Sequence, residues 1–110
     1  MNIFLSPQRL DASLEVARAG SSLILNGETF DFSAMADGDT LPASAISSIW
    51  FAGQVDKEGG VLSITLLLPI PSNFSQEQAF PAPLINVPEG RVALPQPLPI
   101  QIAQIQEPEA

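Results

Sequence analysis

The ten residues Leu23-Ile24-Leu25-Asn26-Gly27-Glu28-Thr29-Phe30-Asp31-Phe32 constrain the fold more than any other stretch of the chain. Asn-Gly supplies the two positive φ angles that a two-residue type I′ turn demands, so the flanking residues are predicted to pair as antiparallel strands. Side chains alternate along a strand, which puts Leu23 and Leu25 on the same face as Phe30 and Phe32. Upstream, Ser13 to Arg18 alternates apolar and polar residues, and Ala19-Gly20 separates it from Ser21. A three-strand meander follows, with Leu14 and Val16 joining the same core.

A second hairpin is predicted from Ile49 to Val55 and Val61 to Leu68, joined by the five residues Asp56-Lys57-Glu58-Gly59-Gly60. Ile49, Phe51 and Val55 share one face, and Leu62, Ile64, Leu66 and Leu68 share one face of the partner. A helix of period 3.6 does not bring those four residues together, so the alternation specifies a strand. Pro69 and Pro71 are expected to stop the ladder, because proline has no backbone donor. Ile3-Phe4-Leu5 reads as a short edge strand ended by Ser6-Pro7. Between the hairpins, Asp37-Gly38-Asp39 reads as a turn, and any helix is expected in Leu41 to Ile46.

From Pro69 to Pro99 the chain carries eight prolines, which excludes a regular central sheet there. Short extended pieces at Gln78 to Phe80, Leu84 to Val87 and Arg91 to Leu94 are expected along a sheet edge. Together these readings predict a mostly β protein, a small antiparallel β-sandwich or partly open barrel built from hairpins. Residues 1–94 form a single β domain and residues 95–110 a proline-rich extended C-terminal tail.

Composition narrows the functions open to such a domain. The 110 residues include no His, Cys or Tyr, which removes the usual general bases, thiol nucleophiles and imidazole metal ligands. The formal net charge is −8, with Arg9, Arg18, Lys57 and Arg91 scattered singly. Nucleic-acid binding needs clustered cations to neutralise phosphates, and an anionic membrane surface needs them too, so neither partner is expected. The start of the chain lacks a basic stretch followed by an apolar run, and Leu66 to Ile70 is far too short to cross a bilayer. No cofactor is expected.

The pieces occur in a particular order: Ile24 to Ser33, then Gly38-Asp39-Thr40-Leu41-Pro42, Trp50-Phe51-Ala52-Gly53, Thr65-Leu66-Leu67-Leu68-Pro69 and Phe80-Pro81-Ala82-Pro83. That ordered set resembles a group of small uncharacterised proteins encoded in bacteriophage and prophage tail-module gene clusters of proteobacteria. The resemblance spans most of the chain up to about Pro97. It implies a place near tail or tail-fibre genes and names no reaction. The expectation is a non-enzymatic structural or assembly-associated module acting through contacts with tail or tail-fibre proteins, in the host cytoplasm or on the virion.

Four features are candidates for other chemistry. Paired carboxylates hydrolyse glycosides in some enzymes, but the acidic residues here fall mainly in solvated turns, so a cell-wall hydrolase is the least supported reading. Asp31, Asp37 and Asp39 are candidate calcium ligands, although their spacing is not that of a calcium loop, and an ordinary capped turn is the alternative. Trp50 alternates with Phe51 and points away from the core if Phe51 points into it. An exposed Trp50 serves a carbohydrate-binding module; a covered one is structural. Finally Pro97, Ile100, Ile102 and Ile105 mark the C-terminal segment as a candidate docking peptide or a strand shared in a homo-oligomer, against a frayed end.

Overall fold

A computed structural model describes residues 1–98. Among the described residues eight strands form two four-stranded sheets. The first sheet has the order β1 (Asn2–Arg9), β7 (Val61–Ile70), β6 (Phe51–Glu58) and β5 (Thr40–Leu41). The second has the order β4 (Glu28–Asp31), β3 (Ser22–Leu25), β2 (Val16–Ala19) and β8 (Gly90–Val92). The two sheets share one apolar core, as a sandwich and not a closed barrel.

The second sheet follows from the turn chemistry. Asn26 and Gly27 have φ of 51° and 86°, the pair of left-handed residues required by the type I′ turn, and Leu25 pairs with Glu28 across it. Leu23, Leu25 and Phe32 are buried, as are Leu14 and Val16. Asn26 also fastens the chain upstream: its Oδ1 accepts from the Glu15 N–H at 2.7 Å, and its Nδ2 donates to the Ser13 carbonyl at 3.0 Å. The meander is thus tied to its own entry.

The first sheet departs from the sequence expectation in several places. The β6–β7 connection is only Gly59-Gly60, both at positive φ, and not a five-residue loop. Asp56, Lys57 and Glu58 stay in strand because the chain at 38–40 pairs along them: Gly38 donates to the Lys57 carbonyl, and Thr40 pairs with Asp56. Phe51 opposes Leu66 and Val55 opposes Ile64, so three residues of β6 span one of β7. This bulge lets Phe51 and Val55 both enter the core. At its centre an added Cβ on Gly53 would stand 3.1 Å from the Thr65 Cβ. Ile49 precedes the bulge and is 70% exposed, outside the face predicted for it.

Pro7 and Pro69 do not end their strands, whereas β7 does stop at Ile70, directly before Pro71. β1 runs through Pro7 to Arg9, parallel to β7, and β7 runs through Pro69 to Ile70. Backbone parity explains both. The Ile3 N–H and C=O bond Leu84 on the outer side of β1, so Pro7, four residues on, also turns outward. On β7 the Leu67 N–H reaches the Trp50 carbonyl, and Pro69 faces the same way, just past the start of β6. Both prolines put the missing donor where no ladder partner stands.

The proline-rich run folds back onto the body. Leu84 bridges Ile3, the Val87 N–H donates to the Met1 carbonyl, and β8 joins the second sheet beside β2. Gln78 to Phe80, expected to be extended, instead belong to a helical turn, α1 (Gln76–Ala79), and its C-cap. Ser75 Oγ accepts from the Gln78 N–H and the Gln78 Oε1 accepts from the Ser75 N–H, the reciprocal capping box. The stretch favoured for a helix, Leu41 to Ile46, holds a single 3₁₀ turn at Ala43–Ala45. Phe51 closes the core between the sheets, its ring edge-on to Phe30 at 5.0 Å and Phe32 at 5.9 Å.

Candidate functional site

At one end of the sandwich the sheets part and leave a groove of about 560 Å³. One wall is residues 12–16 leading into β2, and another is the end of β7 with Pro69 and Pro71. The remaining wall is β8 and its continuation through Pro97, and Gln78 lines the groove from α1. The lining is mixed: Leu14, Val16, Leu68 and Leu94 stand beside Ser13, Glu15, Arg91 and Gln96.

Two polar features of this groove stand out. Gln78 is 4% exposed. Its Oε1 is used by the capping box, while its Nε2 has no acceptor among the described residues. A buried amide donor left without a partner costs about 1–3 kcal/mol, which makes the position notable. The second feature is the edge of β8. The Asn26 N–H bonds the Glu15 carbonyl, so odd residues of β2 turn toward β3 and even ones toward β8. Val16 and Arg18 therefore bond Val92 and Gly90, and the backbone of Arg91 and Ala93 points outward. β8 ends the sheet, and no described strand pairs with that edge.

The rest of the segment is held in place. Ser75 Oγ donates to the Gln96 carbonyl at 2.6 Å, and Asn73 and Leu98 exchange two hydrogen bonds of 3.1 Å. Hydrogen bonds from Ser75 and Asn73 thus reach Gln96 and Leu98. Arg91 and Glu15 lie on the groove 3.8 Å apart, so the nearest charges balance each other.

The other sequence candidates are dispersed. Asp31, on β4, accepts from the Ser33 N–H and the Ser22 hydroxyl. The bond from the Ser33 backbone, with help from the serine hydroxyls, holds its carboxyl below the ordinary value. Asp37 accepts from the Gly60 N–H and Asp39 from the Ala36 N–H, each locking a turn. Among the described residues no three acidic side chains gather around one point, so the three aspartates do not form a single centre. A smaller hollow of about 350 Å³ lies beside Thr40, Asp56 and Lys57. There the Thr40 hydroxyl, 2.6 Å from Asp56, and then Gln54 lower the Asp56 pKa. Lys57 Nζ donates to the Met35 carbonyl.

Trp50 is half-buried and packs against the core cluster. Pro97 is exposed on the groove wall. Ile100, Ile102 and Ile105 lie outside the described residues. Sequence reasoning did not single out Gln78 or the β8 edge. The Ser75-x-x-Gln78 spacing is the signal that locates the first. The second depends on which strand β8 joins, a contact between residues more than seventy positions apart.

No family model, no curated protein and no solved structure matches the chain.

Proposed function

We propose that this chain is a non-enzymatic β module of a bacteriophage or prophage structural region, acting through protein contacts in tail or tail-fibre assembly. The observation that carries the protein-contact reading is the outward backbone edge of β8 beside a groove. A strand edge of this kind offers N–H and C=O groups in the spacing that another polypeptide matches. The phage setting rests on the ordered resemblance from Ile24 to Pro83. The acidic side chains support the non-enzymatic part: Asp31, Asp37, Asp39 and Asp56 are each occupied with hydrogen bonds inside the fold. Exposed Phe80 and Ile85, 79% and 56% accessible, add apolar contact surface on the proline-rich segment.

A tagged chain expressed in a phage-producing host tests this reading. The expected result is co-sedimentation with tails or tail assembly intermediates, and recovery of a tail protein in the pulldown. Absence from both fractions overturns it.

A further inference from the structure

We propose that the groove takes an extended, apolar segment of a partner protein, flanked by Lys or Arg, which pairs with the outer edge of β8 as a fifth strand of the second sheet. The inference rests on the protein-contact reading above and specifies its ligand chemistry.

Three observations converge on an extended polypeptide. Arg91, and by continuation Ala93 just past the end of β8, present donors and acceptors outward, which is the complement of a second strand's backbone. The Gln78 Nε2 lines the same groove, buried and without an acceptor among the described residues, and a peptide carbonyl supplies one. Leu14, Leu68 and Leu94 give the mixed lining an apolar patch, which takes the side chains on one face of the incoming strand and sets the preference of that face for apolar residues. A helix satisfies its own backbone and leaves the edge unpaired.

Charge decides the flanks. Arg91 and Glu15 neutralise one another at the groove, so the field an approaching peptide meets is set by the formal net charge of −8. That field draws cations and repels carboxylates, most strongly at low salt.

The probe is the capped heptapeptide Lys-Val-Thr-Val-Thr-Val-Lys, titrated into the ¹⁵N-labelled full chain and followed by amide shifts. The expected result is saturable shifts of the Gln78 side-chain amide and of the Arg91 and Ala93 backbone amides. Exchanging both lysines for glutamates weakens binding severalfold at low salt. Ala93→Pro removes an outward donor without touching the β2 ladder and weakens binding at least tenfold. Gln78→Glu keeps the acceptor for the Ser75 N–H, removes the amide donors, and weakens binding as well. Shifts confined to other surfaces overturn the proposal, as does unchanged affinity in both variants. Nuclear Overhauser contacts in the peptide-free chain between the Ile100 or Ile102 methyls and those of Leu14 or Leu94 also overturn it, because its own C-terminal segment then fills the groove. Peptide failure alongside intact co-sedimentation with tails removes only the groove assignment, whereas peptide binding without tail association removes only the phage-tail reading.

Discussion

The two sheets reach the same architecture by different routes. In the second sheet, β2, β3 and β4 are four residues each and follow one another through two-residue connections, so nearly all their pairing is local. The first sheet depends on β7, a ten-residue strand flanked by the N-terminal β1 on one side and β6 on the other. One is held by turn geometry and the other by burial of a long central strand. Turn residues and core residues therefore carry different loads, and substitutions separate them.

The largest effect is expected in the central strand. Leu66 is fully buried, and Leu66→Ala should cost about 3–5 kcal/mol in urea unfolding through lost transfer energy and a residual cavity. Because both sheets share one core, the variant should still unfold in a single transition; survival of the second sheet on its own breaks that part of the comparison. Next comes the turn: Asn26→Ala forces an alanine to positive φ and deletes two side-chain hydrogen bonds, for about 2 kcal/mol. Asn26→Gly keeps the backbone conformation and should lose only about half as much. Equal losses for the two variants would show that the side-chain bonds, and not the turn angles, hold the meander.

Arg18 tests how firmly the proline-rich run is joined to the second sheet. Its guanidinium bonds the Gly20 and Val87 carbonyls, and Glu89 lies 3.7 Å away. Arg18→Ala should cost about 1 kcal/mol and speed amide exchange at Val87 and Val92 while leaving β6 and β7 unchanged. The smallest effect is acidic. Folded Asp31 and Asp56 have lowered pKa values, so near pH 3–4 the unfolded chain binds more protons. Their stabilising effect is complete above the ordinary aspartate range and is lost as pH falls through the folded values. The double variant Asp31→Asn, Asp56→Asn should therefore show a smaller drop in Tm between pH 6 and pH 3 than the parent chain.

The difference between the sheets also decides what could be read from the residues. Asn26-Gly27 fixed a turn, a register and a buried face together, because each depends on neighbours within ten positions. The alternation from Leu62 to Leu68 likewise marked its inner face. The strand ends were less legible. Pro7 and Pro69 read as terminators, yet each sits where its missing donor has no ladder partner, and that follows only from which strand lies on which side. Ser75-x-x-Gln78 was a helix start hidden among prolines. The groove was illegible for the same reason as the parallel pairing of β1 with β7: both join segments separated by most of the chain.

The central claim is that the open edge of β8, and not merely any exposed strand, meets another protein. A photo-crosslinking residue placed at Ala93, and separately at Thr29 on the exposed edge strand β4 at the far side of the same sheet, compares the two edges in a phage-producing host. The account predicts a crosslinked tail protein from position 93 and little from position 29. Crosslinking from position 29 alone, or from neither position in assembled tails, would contradict it.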